Sequence, residues 1–492
     1  MRPCCNFSRR QFLRWSAVVA ATPIVAGLGD VGRAYGLTNA VKNNPALPVN
    51  LEIVTTTESS VVLTWFTGDP TRVDAFGRLA PMPADTEVAI RDVRTGVERT
   101  VYHDARQTPY HYVELTGLDE QTRYTVVARS NGVPALPANS FHGSPIGTSG
   151  LSAEPGALTF RTSAALHGKL LTTIALCNDL HLGETVAGLV KTVAGQGLPP
   201  GISQLPGKAP YPEIMATALA RETRQRGAQY LLAAGDVSSE ASPTDLHRAK
   251  ELLDGFGVYE QDYFVARGNH DRAHDTTEVA GCSVVPGHPH RHDCFRDEFD
   301  GGAPTYFSRR IGELRVIGID TYDTIGNGSF HGSIGEEQFA WLTRELRSDP
   351  ERPTIVFGHH PVVLDATTNA VPPLLYGLPA DQAKRLTALY RHAPGVFLHH
   401  AGHTHRNKLA SSPAAPHVLF QEVAAVKEYP GGFHLLRVHE HGFALNFYKF
   451  RDPAAQEWSE RSRPEYLGAA PSYTFGNLRD RNSVTTSSTL RL

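Results

Sequence analysis

The chain has 492 residues, enough for two or three domains, and its 47 basic and 50 acidic residues give a net charge of −3 at pH 7. No excess of basic residues indicates nucleic acid as a partner, so stable nucleic acid binding is not expected. Beyond the N-terminal segment, no stretch of the sequence is apolar over the ~20 residues that a transmembrane helix needs, so no transmembrane segment is predicted.

The N-terminal segment has the pattern of an export signal. Arg9 and Arg10 precede a modestly apolar stretch at residues 15–28, and small residues follow it. This pattern resembles a twin-arginine signal peptide over residues 1–36, with the Tat export machinery as a partner. A basic N-terminal helix or a membrane anchor is the alternative, but the apolar stretch is short and contains Pro23. We therefore expect a periplasmic, cell-wall-associated or extracellular protein. Its mature chain, after loss of five arginines and one aspartate, would carry a net charge of about −7.

Residues 47–165 consist of short alternating polar and apolar runs separated by polar turns, a pattern typical of a β-sandwich. Strands are predicted at residues 60–65, 87–90, 110–115, 124–128 and 159–162. The stretch at 118–124 is similar to the tyrosine-corner region of fibronectin type III domains, in which a tyrosine hydroxyl, here that of Tyr124, bonds back to the backbone. A similar domain precedes the catalytic domain of purple acid phosphatases. We interpret it as a spacer or docking wall, with carbohydrate or cell-wall binding as the alternative.

From residue 167 onwards, one local arrangement occurs five times: a short apolar run ends, and side chains that bind metals or donate protons follow it. Such runs indicate buried strands, and in α/β sheets ligands bind beyond the carboxyl ends of the strands. The five runs therefore predict a single site. Its candidate metal ligands are Asp179, His181, Asp236, Asn269, His359, His403 and His405.

The chemistry of these side chains limits the choice of metal. Imidazoles mixed with carboxylates and one amide oxygen suit Mn, Fe, Zn or Co, whereas thiolates would indicate structural Zn and oxygens alone would indicate Ca or Mg. Seven side chains are too many for one tetrahedral ion. Two divalent transition-metal ions that share a carboxylate would use all of them.

The five blocks, in chain order, are Asp-x-His, Gly-Asp, Gly-Asn-His-Asp, Gly-His-His-Pro and Gly-His-Thr-His, and they lie between residues 179 and 405. Together they resemble the signature of the calcineurin-like metallophosphoesterases. The resemblance implies a four-layer α-β-β-α sandwich over residues 167–465. It also implies one metal held by Asp179, His181, Asp236 and His405, and a second held by the bridging Asp236 with Asn269, His359 and His403. His270 would stay free of metal and protonate the leaving oxygen or stabilise the phosphoryl group, and the resemblance prefers His359 over its neighbour His360 as a ligand.

The implied function is a secreted phosphoric ester hydrolase in which a metal-bound hydroxide attacks a phosphate ester. The motifs look closer to the bacterial cyclic-nucleotide and glycerophosphodiester phosphodiesterases than to purple acid phosphatases, because Ser239 stands where the latter have a tyrosine. We therefore expect a phosphodiester of a small molecule, nucleotide or lipid headgroup as substrate, with Arg272 and His274 as candidate phosphate contacts. The alternatives are a phosphomonoesterase or nucleotidase on the same scaffold, and a non-catalytic protein that displays its β-sandwich.

Outside the motifs, the sequence supports a few further expectations. Cys282 and Cys294 bracket a loop that contains three histidines and follows the Gly-Asn-His-Asp block, so a disulfide after export and a third metal site both stay open. Helices are predicted at residues 213–226 and 335–347. Antiparallel strands are predicted at residues 418–421, 433–438 and 443–448, and a polar tail is predicted at residues 466–492.

Overall fold

The computed structural model describes residues 46–74, 78–138, 157–188, 201–275, 279, 281–301, 303–322, 332–363, 377–465 and 470–486. The predicted signal peptide at residues 1–36 lies outside the described residues. The strands are β1 Leu47–Thr56, β2 Ser60–Val73, β3 Leu79–Pro81, β4 Ala84–Asp92, β5 Glu98–Thr108, β6 Tyr110–Thr116, β7 Arg123–Ser130, β8 Val133–Pro134, β9 Ala157–Arg161, β10 Leu170–Cys177, β11 Val186–Ala187, β12 Ile202–Ser203, β13 Tyr230–Ala234, β14 Tyr263–Ala266, β15 Val284–Val285, β16 His288–His292, β17 Phe307–Ile311, β18 Leu314–Gly318, β19 Thr354–Phe357, β20 Val396–Ala401, β21 Lys408–Ser412, β22 Ala415–Glu422, β23 Gly432–His439, β24 Gly442–Lys449 and β25 Asn482–Thr486. The helices are α1 Tyr211–Gln225, α2 Pro243–Asp254, α3 Cys294–Asp300, α4 Glu336–Ser348, α5 Ala380–Arg391, α6 Pro453–Ser462, α7 Ala470–Phe475 and α8 Leu478–Arg481.

The N-terminal strands form the predicted β-sandwich. One sheet has the order β1-β2-β3 with β6 also paired to β2, and the other has the order β5-β4-β7-β8 with β9 paired to β7. Alternate side chains of β7 point into the core between the sheets, where they meet Trp65 and Phe160. The hydroxyl of Tyr124 accepts a hydrogen bond from the backbone N–H of Asp119 at 3.0 Å, as the tyrosine-corner pattern predicts. Strand β5 escaped the sequence analysis because most of its residues are exposed and polar.

The rest of the described chain is built on two six-stranded sheets that pack face to face. Their orders are β14-β13-β10-β23-β24-β25 and β17-β18-β19-β20-β22-β21. In the first sheet β14, β13 and β10 run parallel while the β23, β24 and β25 pairings are antiparallel, and in the second sheet the four strands β18, β19, β20 and β22 run parallel. Apolar side chains such as Leu176, Phe264, Phe357 and Leu398 fill the space between the sheets. These strands are buried on both faces, which is why they read as continuous apolar runs rather than as alternating ones.

Helices cover the outer face of each sheet. Met215 and Leu219 of α1 and Leu246 of α2 pack on the first sheet, and Phe339 of α4 and Leu386 of α5 pack on the second. Burial of these faces, rather than intrinsic helix propensity, supplies most of the stability of such helices. The four-layer α-β-β-α architecture is confirmed.

The C-terminal part contains the predicted strands, but its end differs from the predicted tail. Residues 418–421 belong to β22, which pairs antiparallel with β21, as predicted, and also pairs parallel with β20 in the second sheet. The predicted polar tail folds at least over residues 470–486, since β25 adds an antiparallel strand to β24. Arg481 is buried and donates hydrogen bonds to the carbonyl oxygens of Ile53 at 2.7 Å and Val54 at 3.2 Å. Backbone pairing and one buried arginine therefore hold this segment, and neither leaves an apolar pattern in the sequence.

A buried ionic cluster joins the β-sandwich to the two-sheet domain. The carboxylate of Glu52, on β1, accepts hydrogen bonds from Arg463 Nη1 at 2.6 Å and from Lys449 Nζ at 3.2 Å, and it also accepts one from the hydroxyl of Tyr429. Burial alone would raise the pKa of Glu52, but the charges of Arg463 and Lys449 and the hydrogen bonds from Tyr429 and Arg463 together outweigh burial and lower it to about 2. The ionised carboxylate thus links β1 of the β-sandwich to the segments that carry Arg463 and Lys449.

Replacing Glu52 by glutamine is expected to lower the free energy of unfolding by about 3 kcal/mol at pH 7, because it leaves two buried cations without their anion. The folded-state pKa lies below the ordinary value of 4.5, so the stabilisation is present above pH 4.5 and is lost as the pH falls towards 2. Urea unfolding measured from pH 7 to pH 3 should therefore show a steeper acid loss for the wild type than for Glu52→Gln. The exposed Glu98→Gln is the control, and an equal pH dependence in both chains would contradict the assignment.

Candidate metal centre

The predicted metal ligands lie where the two sheets present the carboxyl ends of their parallel strands. In the first sheet, Asp179 and His181 follow β10, Asp236 follows β13, and Asn269 follows β14, three strands that lie side by side. In the second sheet, His359 follows β19, while His403 and His405 follow the adjacent β20. The fold therefore brings together all seven residues that the sequence pattern selected.

The backbone at the site is held in an uncommon conformation. Asp179, His181, Asp236, His403 and His405 have positive φ angles of 55°, 50°, 52°, 68° and 52°. Each such non-glycine residue costs on the order of 1–3 kcal/mol, and observed strain of this kind clusters at functional sites. Hydrogen bonds between the loops compensate for part of this cost, since the backbone N–H of His181 donates to the carbonyl oxygen of Asp236 at 2.9 Å. The loops hold these side chains at the centre of the site.

Close packing of the loops explains one glycine of the motifs. A Cβ atom at Gly268 would lie 2.1 Å from Oδ1 of Asp236. Only glycine allows the Asn269 loop to approach the carboxylate of Asp236 this closely. The backbone N–H of His270 then donates to the same Oδ1 at 2.7 Å.

The first group of predicted ligands surrounds Oδ1 of Asp179. His405 Nε2 lies 3.2 Å from this oxygen and His181 Nε2 lies 3.6 Å from it. His181 Nε2 also lies 3.6 Å from Oδ2 of Asp236. Separations of this size suit atoms that share one ion, because ligands at about 2.0–2.2 Å from a tetrahedral metal are roughly 3.4 Å apart.

The second group surrounds Nε2 of His359. This atom lies 3.0 Å from Oδ2 of Asp236, 3.1 Å from Oδ1 of Asn269 and 3.1 Å from Nδ1 of His403. Oδ2 of Asp236 therefore belongs to both groups. The arrangement corresponds to two adjacent cation positions with one carboxylate between them.

Buried polar atoms support the interpretation that these groups suit cations. Oδ1 of Asp179 and Nε2 of His181 are buried without a hydrogen-bond partner in the part of the chain that the structure describes. A buried polar atom left unpaired costs about 1–3 kcal/mol, so such atoms call for a ligand. A divalent cation would satisfy an acidic oxygen and an imidazole nitrogen at once.

The pKa shifts at the site lead to the same conclusion. Burial by itself would lower the pKa of both His359 and His405. At His359 the charge of Asp236, the hydrogen bond to the same carboxylate and the charge of Asp179 together outweigh burial and raise the pKa to about 9. At His405 the charges of Asp179 and Glu428 raise the pKa to about 10. The buried carboxylates thus attract positive charge, and divalent ions would take the place of these protons. The donor set fits divalent metal ions.

His270 lies beside the groups and has a fixed ring orientation. Its Nδ1–H donates to the backbone carbonyl of Ser239 at 2.6 Å, which leaves Nε2 as the atom for proton transfer. One of its ring nitrogens lies within 4.8 Å of a ligand atom of His181 and of Asp236. Burial lowers the pKa of His270 to about 4, a shift that the sequence does not indicate. An entering phosphate anion would raise this pKa again, because a nearby negative charge favours the protonated ring.

Asp271 joins two loops of the site. Its carboxylate accepts hydrogen bonds from the backbone N–H groups of Val237, Ser238 and Gly268 at 3.2, 2.9 and 3.0 Å. A buried aspartate in this position couples the Gly-Asp block to the Gly-Asn-His-Asp block. It thereby fixes the separation between two of the predicted ligands.

The neighbouring histidines have separate roles in packing. His360 Nδ1 makes a hydrogen bond with Thr321 Oγ1 at 2.8 Å, so His359 is the residue of the pair that faces Asp236. His399 bonds to the hydroxyl of Tyr390 at 2.8 Å, and His400 donates to the carbonyl oxygen of Cys177 at 3.1 Å. Both are buried core residues.

The loop after the Gly-Asn-His-Asp block is closed by a disulfide between Cys282 and Cys294. The buried Arg267 donates to Oδ2 of Asp293 at 2.8 Å and so ties this loop to the strand that carries Asn269. Among the described residues, the groups with converging ligand atoms include none of the loop histidines His288, His290 and His292.

The two candidate phosphate contacts, Arg272 and His274, both donate hydrogen bonds to Glu240. Arg272 Nη2 donates to the carboxylate of Glu240 at 2.5 Å, and His274 Nε2 donates to the backbone carbonyl of the same residue at 2.6 Å. Glu240 follows directly after Ser239, which holds the ring of His270. Contact with phosphate stays a prediction for both side chains.

Three charged residues beside the site were missed by the sequence analysis. Glu428 accepts a hydrogen bond from His405 Nδ1 at 2.6 Å, and Lys427 Nζ donates to Glu184 at 2.6 and 2.8 Å. Glu184 lies three residues beyond His181, a weak local signal. Lys427 and Glu428 follow no motif, and only the fold brings them to the site.

Comparison with known families identifies the domain. Residues 172–407 match the calcineurin-like phosphoesterase family, and residues 6–26 match the twin-arginine translocation pathway signal sequence. The chain thus contains a calcineurin-like phosphoesterase domain and carries a twin-arginine export signal, as predicted. None of the described helices is long and apolar enough to cross a membrane.

One curated relative is the "Probable cyclic nucleotide phosphodiesterase" of Synechococcus sp. It is 28% identical over 153 residues, which cover 31% of this chain and 50% of the relative, so the chain spans about half the length of that protein. One solved structure with similarity to this chain is a dimetal phosphatase from Danio rerio. It is 12% identical, the match covers 57% of this chain and 96% of that one, and the TM-score is 0.39. Another is the purple acid phosphatase PPD1 of yellow lupin, which is 14% identical. The match covers 83% of this chain and 73% of that one, and the TM-score is 0.37.

Proposed function

We propose that the exported chain is a metal-dependent phosphoesterase that hydrolyses phosphodiesters with two divalent transition-metal ions, Mn, Fe or Zn. The observation that carries this proposal is the position of Asp236, whose Oδ2 lies 3.6 Å from His181 Nε2 and 3.0 Å from His359 Nε2. One carboxylate shared by two sets of ligands is the arrangement that a two-metal hydrolase requires. In this proposal Asp179, His181, Asp236 and His405 hold one ion, while Asp236, Asn269, His359 and His403 hold the other.

Bound ions would polarise the phosphate and lower the pKa of water, so that a nucleophile is available near neutral pH. The chain itself orients the reacting groups. The Ser239 carbonyl oxygen fixes Nδ1 of His270, so Nε2 of the same ring is directed to hold or move a proton at the leaving oxygen. Hydrogen bonds in the buried loops around Asp236 and Asp271 hold this ring and the ligands at fixed positions relative to one another.

Support for a diester substrate comes from the Synechococcus relative, which is named a probable cyclic nucleotide phosphodiesterase, and from the resemblance of the motifs. Ser239 cannot form the tyrosinate contact of purple acid phosphatases. The proposed substrate is accordingly the phosphodiester of a nucleotide or a lipid headgroup. The proposed domains are a β-sandwich at 47–165, which acts as a spacer or docking wall, and a catalytic domain at 167–465.

The test compares hydrolysis of bis(p-nitrophenyl) phosphate with that of p-nitrophenyl phosphate by the mature chain, reconstituted separately with Mn, Zn and Fe. The proposal expects faster turnover of the diester together with two bound ions per chain. Faster turnover of the monoester would instead support the phosphomonoesterase or nucleotidase alternative. Two bound ions without hydrolysis of either compound would favour a binding protein that displays its β-sandwich.

A further inference from the structure

The two halves of the metal centre differ in the partners of their histidines. In the first group, the ring nitrogens that face away from the centre point to carboxylates: His405 Nδ1 donates to Oε1 of Glu428 at 2.6 Å, and His181 Nδ1 lies 3.3 Å from Oε2 of Glu184. In the second group, His359 Nδ1 donates to a neutral acceptor, the carbonyl oxygen of Ala234, at 2.8 Å. A carboxylate partner orients an imidazole and raises its basicity as a metal ligand, and a neutral carbonyl does so less.

One buried cation holds both carboxylates in place. Lys427 Nζ donates to Glu184 Oε1 at 2.6 Å and to its Oε2 at 2.8 Å, and it lies 3.4 Å from Oε2 of Glu428. The side chain of Lys427 is 5% exposed and that of Glu428 is 2% exposed, so solvent does little to screen these charges. A lysine in this position fixes the separation between the two carboxylates, and through them the separation between His181 and His405.

Aromatic packing keeps this network rigid. The hydroxyl of Tyr211 donates to Oε1 of Glu184 at 2.5 Å, and the ring of Tyr211 stacks on Trp458 with ring centroids 3.9 Å apart. Trp458 Nε1 in turn donates to the backbone carbonyl of Lys427 at 2.6 Å. These contacts connect α1, α6 and the segment after β22, so the network cannot shift without moving two helices.

The net charge of the side chains around the first group also differs from that around the second group. Glu465 also contacts this network, but burial and the charge of Glu428 raise the pKa of Glu465 well above its ordinary value, so its carboxyl is counted as neutral. The carboxylates of Glu184 and Glu428 against one ammonium then place one net negative charge behind His181 and His405, in addition to the charges of Asp179 and Asp236. Apart from its two histidines, the second group has one ligand that it does not share with the first, Asn269. The side chain of Asn269 is a neutral amide. The first group therefore attracts a cation more strongly than the second.

We infer that Glu184, Lys427 and Glu428 are positioning residues for the first metal position, and that this position retains its ion more tightly than the second. The inference rests on the proposed function, since it presupposes two bound ions. It predicts that the centre loses its metal in two steps, with the ion at His359 and His403 leaving first.

The experiment measures bound metal per chain, by elemental analysis, after equilibration of the mature protein loaded with Mn or Zn against increasing concentrations of a chelator. The wild type should pass through a plateau at one equivalent. Glu428→Gln should weaken retention of that last equivalent about 10- to 100-fold, the usual effect of removing a partner of a metal ligand. Lys427→Met should weaken it as well, because Glu184 and Glu428 lose the cation that fixes their separation, and this loss of positioning outweighs the added negative charge. The plateau at one equivalent should then cover a narrower range of chelator concentrations or disappear.

Lys449→Met is the matched control, because Lys449 is also a buried lysine paired with a glutamate, at 3.2 Å from Glu52, but lies in the interface between the domains. It should keep the wild-type plateau even where it lowers the melting temperature. A variant that loses the plateau while its circular dichroism spectrum stays native separates positioning from general destabilisation. Partial recovery of the plateau in Lys427→Arg, which keeps the positive charge, would support the same conclusion.

Loss of both ions from the wild type at one chelator concentration would overturn the inference without any variant. Variants that retain the last equivalent as firmly as Lys449→Met would overturn it too. In either case hydrolysis with two bound ions would leave the proposed function intact. Failure of the wild type to bind two equivalents at all would overturn the proposed function and, with it, this inference.

Discussion

Asp236→Asn is expected to lower kcat/KM for phosphoester hydrolysis by at least about 10³-fold, because a shared carboxylate holds both ions that stabilise the transition-state charge by several kcal/mol. The carboxylate is buried and its Oδ2 belongs to both groups of ligands, at 3.6 Å from His181 Nε2 and 3.0 Å from His359 Nε2. Asparagine keeps the shape but removes the charge. Metal content and activity should therefore fall together, as measured by elemental analysis and steady-state kinetics.

Asp300→Asn is the matched control for this change. Burial raises the pKa of Asp300 to about 8, and asparagine resembles the protonated carboxyl in shape and charge. We expect wild-type metal content and activity. Retention of two ions and of activity by Asp236→Asn would contradict the assignment of Asp236 as the shared ligand.

His270→Gln is expected to lower kcat about 10²- to 10⁴-fold while two ions stay bound, because proton transfer by a positioned side chain contributes a factor of this size. The ring of His270 is fixed by the Ser239 carbonyl at 2.6 Å and lies beside the centre, but it belongs to neither proposed set of ligands. The loss should be larger for substrates with a poor leaving group, such as an alkyl alkoxide, than for p-nitrophenyl esters. An alkoxide needs a proton from the enzyme, and p-nitrophenolate does not.

The comparison of leaving groups separates a proton donor from a residue that only supports the site. An equal loss for both kinds of substrate would contradict proton transfer and favour stabilisation of the phosphoryl group. Loss of metal from His270→Gln would instead make His270 a ligand. His247→Gln is the control, since His247 lies on α2 with its side chain 65% exposed.

Much of the candidate site could be predicted because each ligand stands directly after a buried strand. A parallel strand that is covered on both faces must be apolar throughout, so its end is visible in the sequence as the point where polar residues begin. Asp236 after Leu231–Ala234 and His359 after Thr354–Phe357 are examples. The tyrosine corner was predictable for a similar reason, since Tyr124 bonds to a backbone group only five residues away.

Other features could not be predicted because they depend on contacts between distant parts of the chain. The parallel pairing of β22 with β20 could not be predicted, since an apolar run does not specify which strand it pairs with. The segment at residues 470–486 is polar, and its order comes from pairing with β24 and from the burial of Arg481 against β1. Composition alone could only suggest a tail.

The sequence by itself determined the family of the domain, the export signal and the side chains that meet at the strand ends, because all three are written in short contiguous patterns. Only the tertiary structure decided which carboxylates stand behind which histidines. Lys427 meets Glu184 across 243 positions of sequence. A buried lysine, a glutamate and a tyrosine at such separations leave no periodic pattern in the sequence. The charges of the lysine and the glutamate interact strongly only when folding removes them from water.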